Sequence, residues 1–167
     1  MQNINPTDAY RECVEHLKSG GCFLVAGRDK PNIMTIGWGA QGILWGRPVF
    51  MVAVRLSRYT HQKLEEIDEF TVCVPSDGNP LKKELAFAGS KSGRDYDKAD
   101  VLGLKYIPSE KISVPGIEGC SAIYECKVLY QTEMHEATLD RNIVQKAYAE
   151  GDYHTLYFGE ILACQKG

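Results

Sequence analysis

Two neighbouring stretches of the sequence carry side chains suited to binding a phosphorylated heterocycle. Residues 32–38 combine small polar groups, a glycine and one large aromatic residue in a segment that alternates like a half-buried strand. Its Trp38 offers a broad apolar plate whose indole N–H needs a partner. Residues 55–60 contain two guanidinium groups and three hydroxyls, which are the donor types that hold a phosphate. We therefore predict that the ring of a nucleotide-like ligand lies on the first stretch and its phosphate on the second.

The elements around these stretches are predicted to bring them together. The apolar run of residues 49–54 has the length of a buried strand, so Arg55 should emerge at the end of that strand. Thr60 is expected to cap a short helix over residues 61–67, whose N-terminal amides would favour an anion. By the alternative interpretation, Arg58 and Thr60 only solvate the surface and cap the helix.

A third stretch, residues 90–98, is a dense polar loop with three basic groups. Charged loops are usually solvated surface. This one also contains a glycine that is free to adopt unusual backbone angles, and its cations suit a phosphate or a ring edge that becomes anionic on reduction. The residues expected to form such a second clamp are Ser92, Gly93, Arg94 and Lys98.

The remaining pattern predicts one domain over residues 1–167, mainly β with helical additions. Many strands and few, short helices favour a β-barrel. A doubly wound parallel fold is disfavoured, because strands and helices do not alternate regularly and a glycine-rich dinucleotide fingerprint is missing from the sequence. Helices are predicted to begin after Thr7, at Asn79 and Pro80, and at Thr138 or Asp140.

Composition excludes several classes of function. A net charge of −3 and a pI near 5.8 give no general attraction to nucleic acid or to an anionic membrane. The sequence lacks a signal-peptide pattern and an apolar run of membrane-spanning length, so we expect a soluble cytoplasmic protein. Its six cysteines form no C-x-x-C pair and are expected to be buried, reduced thiols. No metal site is expected, because His16, His61 and His135 lack ligand spacing with one another or with cysteine.

Four motifs in this order resemble the flavin reductase-like, FMN-binding split-barrel family, and especially its flavoredoxin branch. They are NIMTIGW at residues 32–38, RLSRYT at 55–60, SGRDYDK at 92–98 and GDYHTLYFGE at 151–160. The resemblance covers most of the chain from about residue 8 onward, and the ordered set is more specific than any single motif.

The resemblance implies a dimeric split β-barrel of Greek-key type, a homodimer in which each chain binds one FMN noncovalently. The residues implied along the flavin ring and its edge are Asn32, Met34, Thr35, Ile36 and Trp38, and those at the ribityl and phosphate end are Arg55, Ser57, Tyr59 and Thr60. The 92–98 loop would close over the site. His154 resembles the family's histidine near the flavin and is the candidate catalytic residue, although here Tyr153 separates it from Gly-Asp.

Three functions remain open from the sequence. A flavin or ferric reductase would use NADH or NADPH as electron donor and pass electrons through FMN to free flavin, a ferric chelate or a protein. A flavoredoxin-like carrier would exchange electrons with a redox protein and ignore pyridine nucleotides. A noncatalytic FMN-binding or storage protein would bind FMN without turnover.

Overall fold

The computed structural model describes residues 2–166 and is built around one large antiparallel sheet. The strands of this sheet are β1 (Gln2–Asn3), β2 (Cys22–Ala26), β3 (Asn32–Ile36), β4 (Gly39–Leu44), β5 (Arg47–Arg55), β6 (Glu69–Pro75), β9 (Cys120–Glu133) and β10 (His154–Lys166), and a separate pair is formed by β7 (Tyr106–Ile107) and β8 (Gly116–Ile117). The main order is β3-β2-β6-β9-β10-β5-β4, with β1 on β10.

Helices are attached to the sheet at its ends and faces. They are α1 (Pro6–Ser19), α2 (Tyr59–Glu66), α3 (Lys82–Ser90), α4 (Lys98–Leu102) and α5 (Arg141–Ala147), with a short 3-10 helix at Glu136–Thr138. This architecture confirms the prediction of a mainly β fold with helical additions. Within residues 2–166, no helix has the length and apolar character needed to cross a membrane.

The two edge strands of the sheet are neighbours in sequence. β3 and β4 lie at opposite ends of the strand order, yet only Gly37 and Trp38 separate them along the chain. The sheet must therefore curl until its edges approach, although β3 and β4 are not paired and the sheet is not closed. Trp38 is placed at this opening between the edges.

Apolar side chains fill both faces of the sheet. One core includes Leu24, Phe70 and Tyr157, and the other includes Phe23 and Ile123. Adjacent residues of β2 enter opposite cores because side chains alternate along a strand, so every residue of β2 is buried. The six cysteines are buried and unpaired, as predicted, and burial is the main cause that raises the pKa of the Cys164 thiol to about 12.

The predicted start of the first helix is wrong by two residues. Asn5, not Thr7, caps α1, and its side-chain oxygen accepts a hydrogen bond from the Thr7 backbone N–H at 3.0 Å. Pro6 suits the first helical position because its fixed φ matches the helix and its missing N–H is not needed there.

Two further helix starts also differ from prediction. α2 begins at Tyr59, and Thr60 is buried inside its first turn, where its Oγ1 accepts a 2.6 Å bond from Asn32 Nδ2 instead of capping the helix. α3 begins at Lys82 after Leu81, which has a left-handed backbone at φ 46°. The chain therefore turns once more after Pro80 before the helix forms. The predicted cap at Asp140 is confirmed.

Candidate functional site

Two adjoining clefts open where the edges of the sheet approach each other. The aromatic cleft has a volume of about 240 Å³ and is lined by Met34, Thr35, Ile36, Gly37, Trp38, Ala53, Arg55, Arg58, Gly89 and His154. The polar cleft has a volume of about 220 Å³ and is lined by Asn32, Ser57, Arg58, Tyr59, Thr60, Ser90, Lys91, Ser92, Gly93, Arg94 and Lys98. Arg58 lines both, so the two clefts meet at this side chain.

Every residue that the sequence assigned to the site lines one of these two clefts. Their placement differs from the predicted roles at two points. Asn32, predicted along the ring, lies in the polar cleft, and Arg55, predicted near the phosphate, lies in the aromatic cleft. The structure thus brings the set together, and the role of each residue in ligand binding stays a prediction.

The wall of the aromatic cleft is a cluster of rings. Trp38 is 47% exposed, and its ring centroid lies 4.7 Å from that of His154 with the planes tilted by 40°. Tyr148 meets the Trp38 ring edge-on at 6.3 Å and stacks on Tyr153 at 4.7 Å. The exposed face of Trp38 therefore has a rigid backing of aromatic side chains.

His154 is a neutral imidazole held in a fixed orientation. It is buried at the start of β10, and its Nδ1 lies 2.7 Å from the Tyr148 hydroxyl. Burial lowers its pKa to about 4, and the nearby positive charge of Arg55 acts in the same direction. At neutral pH the ring can therefore donate one hydrogen bond and accept another, but it carries no charge.

Arg55 anchors the segment that leads into His154. Its guanidinium donates hydrogen bonds to the carbonyl oxygens of Asp152 at 2.8 Å and Ala147 at 2.9 Å, and it lies 5.2 Å from the centre of the Tyr148 ring. These contacts tie α5 and the following turn to the end of β5. Arg55 thus fixes the rings beside the aromatic cleft.

In the polar cleft, the donors of Ser57 already hold an anion from the chain itself. The Asp152 carboxylate accepts bonds from the Ser57 backbone N–H at 3.1 Å and from its hydroxyl at 2.7 Å. Asp152 has a left-handed backbone at φ 55°, which directs the chain back toward Ser57. A carboxylate therefore lies where the sequence predicted phosphate donors.

Lys98 is a buried side chain of the polar cleft that bonds to the backbone of two elements. It is 4% exposed, and its Nζ donates to the carbonyl oxygens of Ile33 at 2.7 Å and Ala88 at 2.8 Å. Burial lowers its pKa to about 8, with a smaller effect from Arg58. Lys98, predicted as part of the second clamp, thus joins β3 to α3 through two backbone carbonyls.

The two arginines of the polar cleft differ in how firmly they are held. Arg58 donates to the Gly89 carbonyl at 2.6 Å, and burial lowers its pKa, which Asp152 partly offsets. Arg94 is exposed, lies 5.1 Å from the Tyr59 ring centre and reaches the Ser57 carbonyl only at 3.3 Å. Of the two arginines, Arg94 is therefore the one that can more easily turn toward a bound anion.

The hydroxyls of Thr60 and Ser92 in the polar cleft each have a hydrogen available for a ligand. Thr60 accepts from the Asn32 side chain at 2.6 Å, and Ser92 accepts from the Arg94 backbone N–H at 3.2 Å. Within residues 2–166, neither hydroxyl donates a hydrogen bond to a protein acceptor, so both hydrogens remain free for an anion.

The prediction of site residues left out several members of the clefts. They are Gly37, Ala53, Arg58 and Gly89 in the aromatic cleft, with Ser90 and Lys91 in the polar cleft. Arg58 belongs to a motif that was recognised, so its guanidinium was a usable signal. Ala53 lies in a continuous apolar run and gives no signal of its own. Tyr148, the partner of His154, was not among the predicted site residues.

Comparison with known proteins shows the same kind of fold. The sequence model of the flavin reductase like domain matches residues 16–167. An uncharacterized protein of Archaeoglobus fulgidus is 35% identical over 145 residues, which cover 87% of this chain and 71% of that protein. Flavoredoxin of Desulfovibrio vulgaris (Miyazaki F) gives a TM-score of 0.69 at 24% identity, over 88% of this chain and 69% of that chain. An NADH:FAD oxidoreductase of Streptomyces globisporus gives a TM-score of 0.68 at 20% identity, over 100% of this chain and 88% of that chain.

Proposed function

Because the chain belongs to the family defined by the flavin reductase like domain, we propose that it is an FMN-binding oxidoreductase. In this proposal, electrons from NADH, NADPH or a redox protein pass through bound FMN to free flavin, a ferric chelate or another protein. The observation that carries the proposal is the junction of the aromatic and polar clefts at Arg58. A ligand with a flat ring and a phosphate needs such a pair of unlike surfaces side by side.

The aromatic cleft suits the isoalloxazine ring. Trp38 and His154 supply ring faces, Met34 and Ile36 supply apolar walls, and the glycines of this cleft let the backbone come close to a ligand. FMN, when bound, would supply the chemistry, which is to accept a hydride or electrons from a donor and release them one or two at a time. The protein then has to hold the ring and limit the access of water.

The polar cleft suits the phosphate. The free hydrogens of Thr60 and Ser92 and the exposed guanidinium of Arg94 are donors that can turn to a phosphate. The fixed charges of Arg58 and Lys98 add a positive field without leaving their carbonyl partners. We assign phosphate binding to this combination.

His154 is our candidate for the residue beside the reacting part of the flavin. Its neutral imidazole offers a hydrogen-bonding group next to Trp38, held by Tyr148 and oriented through Arg55. Stabilisation of an anionic reduced ring must come from arginine or lysine, since the pKa of about 4 keeps His154 uncharged at neutral pH. The fold of an NADH:FAD oxidoreductase, solved with NAD and FAD fragments, supports a nicotinamide as the donor.

Titration with two flavins tests the cofactor. FMN and riboflavin share the ring and differ in the phosphate, so we expect FMN to bind at least about tenfold more tightly, a difference of about 1.4 kcal/mol. Thr60→Val and Ser92→Ala should weaken FMN binding and leave riboflavin binding unchanged. The proposal fails if the purified protein shows no flavin absorption and takes up no FMN.

Anaerobic reduction of the FMN-loaded protein then separates the possible activities. Bleaching by NADH or NADPH within the time of turnover supports a reductase, and bleaching only by a reduced redox protein supports a carrier. If neither donor reduces tightly bound FMN, the protein is a noncatalytic flavin-binding or storage protein. Turnover by His154→Ala at the wild-type rate, with full FMN loading, would remove His154 from the mechanism.

We also infer a homodimer, from an exposed apolar patch at the β4–β5 hairpin. Ile43 is 70% exposed and Trp45 is 62% exposed, and the Trp45 ring meets Tyr130 of β9 edge-on at 6.2 Å. Large exposed apolar patches mark protein contacts more often than free surface. Trp45 has φ 52°, where asparagine is favoured, so Trp45→Asn removes the ring without backbone strain. Light scattering should show a weakened dimer for this variant.

The state of the cysteines supports a location in the cytoplasm. Residues 2–166 contain six unpaired thiols, and all of them are buried in the two cores. Disulfides are rare where glutathione and thioredoxin keep thiols reduced. We therefore propose that the protein works in the cytoplasm, where reduced nicotinamides are also available as donors.

A further inference from the structure

A second group of polar side chains lies at α1 and the turn that follows β6. Glu12 and His16 are four residues apart on α1, so they share one face of the helix. Asp77 belongs to the turn of residues 76–79, which is closed by the bond from the Asn79 N–H to the Ser76 carbonyl at 2.9 Å. The ligand atoms of Glu12, His16 and Asp77 all lie within 4.8 Å of one another.

His16 is the unusual member of this group. It is only 7% exposed, and its Nε2 has no hydrogen-bond partner within residues 2–166. The nearest charged atom is Asp77 Oδ1 at 3.3 Å, but the pair does not have hydrogen-bond geometry. A buried ring nitrogen without a partner is costly, and the carboxylates of Glu12 and Asp77 are its charged neighbours.

One distance in this group equals the separation of two ligands on a transition-metal ion. Zinc binds imidazole nitrogen at about 2.0–2.1 Å and carboxylate oxygen at about 2.0–2.2 Å, so two ligands at a tetrahedral angle lie about 3.3 to 3.5 Å apart. The 3.3 Å between His16 Nε2 and Asp77 Oδ1 has this value. A charge-assisted hydrogen bond would be about 2.7–2.9 Å long.

We propose that Glu12, His16 and Asp77 form a binding site for a divalent transition-metal ion of the Zn²⁺ type. His16 supplies the nitrogen that selects against Mg²⁺ and Ca²⁺, which prefer oxygen ligands, and the two carboxylates neutralise the ion. Three protein ligands leave a position for water. The site was missed from the sequence because only histidine and cysteine spacings were considered.

The ion would join α1 to the turn of residues 76–79. Asp77 is 88% exposed at its side chain and lies on a turn, whereas Glu12 and His16 belong to a helix packed on the sheet. Binding therefore requires movement only of the turn, toward a fixed imidazole. The expected consequence is a fixed β6–α3 turn and a higher melting temperature in the presence of the ion.

Calorimetric titration of the whole chain with Zn²⁺ and with Mg²⁺ tests the proposal. We expect one Zn²⁺ per chain, no measurable Mg²⁺ binding, and at least a tenfold weaker Zn²⁺ affinity in His16→Gln. His135→Gln is the matched control, because His135 is exposed and outside the group, and its Zn²⁺ affinity should equal that of the wild type.

X-ray absorption at the zinc edge identifies the ligands independently of affinity. The proposal requires nitrogen and oxygen neighbours without sulfur, which separates this site from the buried cysteines. Asp77→Asn is a second variant that cannot disturb the core, since Asp77 is exposed, and it too should bind Zn²⁺ more weakly. Equal Zn²⁺ affinity in the wild type and Asp77→Asn, a sulfur ligand, or several equivalent weak sites would overturn the proposal.

Discussion

The two clefts of the candidate site differ in how much of their bonding capacity the protein itself uses. In the aromatic cleft, Trp38 is 47% exposed and presents a ring face to solvent. In the polar cleft, Lys98 and Arg58 are tied to backbone carbonyls, and Ser57 is tied to Asp152. One cleft is an open surface, whereas the other is a network of internal bonds in which only a few groups remain available.

This difference indicates that cations near a binding site can have a structural task. Backbone carbonyls of α3 and β3 that have no partner in their own element need donors, and Lys98 and Arg58 supply them. The positive field that a phosphate would feel in this cleft then comes from charges that hold the cleft in shape. Direct contacts to a phosphate would come from groups that are free to donate hydrogen bonds, such as Arg94 and Ser92.

The largest expected effect tests the structural task of Lys98. Lys98→Met keeps the length of the side chain but leaves the carbonyls of Ile33 and Ala88 without their buried donor. We expect the free energy of unfolding of the apo protein to fall by about 2–4 kcal/mol. Urea denaturation followed by circular dichroism measures this change.

Lys91→Met is the matched control for this measurement. Lys91 lines the same cleft but is exposed, so its replacement should change the free energy of unfolding by less than about 0.5 kcal/mol. Equal stability of both variants would show that the bonds of Lys98 do not stabilise the fold. The two clefts would then not differ in the structural use of their side chains.

The next effect concerns pH and the aromatic cleft. The pKa of His154 is about 4 in the folded protein and about 6.5 when unfolded, so between these values the unfolded chain binds more protons. Stability therefore rises from pH 4 to pH 6.5 and this contribution is complete above pH 6.5. Its size is about 1–3 kcal/mol.

His154→Gln isolates this contribution from the carboxylates that titrate in the same range. Subtracting the stability profile of the variant from that of the wild type should leave a rise confined to pH 4 to 6.5. His135→Gln, which alters an exposed histidine, should leave no such rise. A difference profile that is flat for His154→Gln would mean that the imidazole is freely hydrated, with the aromatic cleft open behind Trp38.

The sequence predicted which segments form the clefts better than it predicted the hydrogen bonds between those segments. The motifs located the strand ends and loops that form both clefts, because apolar runs and turn residues fix where strands begin and end. The bonds of Lys98 could not be predicted, since they depend on the approach of α3 to β3, which are distant in sequence. The same holds for Asp152, whose left-handed backbone directs its carboxylate to Ser57.

Helix starts show the same limit on a smaller scale. Thr60 has the residue type of a cap, but its hydroxyl accepts a hydrogen bond from the Asn32 side chain of β3 instead. A tertiary partner thus overrides a local preference. The group of Glu12, His16 and Asp77 could not be predicted either, because Asp77 is distant from the other two in sequence and only the fold brings it close.

A change at Gly93 tests whether the polar cleft must keep its shape to bind phosphate. A Cβ at Gly93 would overlap Asn32 Oδ1 and come within 2.9 Å of Tyr59 Cδ1, so Gly93→Ala should push the loop away from the cleft. We expect FMN affinity to fall about tenfold, or about 1.4 kcal/mol, with a smaller loss for riboflavin.

Fluorescence titration with both flavins measures these affinities. Gly42→Ala is the control, because a Cβ there meets no atom within 4 Å among the described residues. If riboflavin binding falls as much as FMN binding in Gly93→Ala, the loop supports the ring and not the phosphate, and the division between the clefts is wrong.

The smallest effect concerns the anion that the polar cleft already holds. Asp152→Asn removes a negative charge next to Ser57 and Arg58, and asparagine tolerates the left-handed backbone at this position. Because the carboxylate repels a phosphate, we expect FMN affinity to rise by about two- to fivefold and riboflavin affinity to stay unchanged, with the increase reduced at high salt. Glu150→Gln makes the same charge change at an exposed site nearby and should alter neither affinity. A weaker FMN complex in Asp152→Asn would show instead that the carboxylate orients Ser57 for the ligand, and the internal bonds of the polar cleft would then be part of binding.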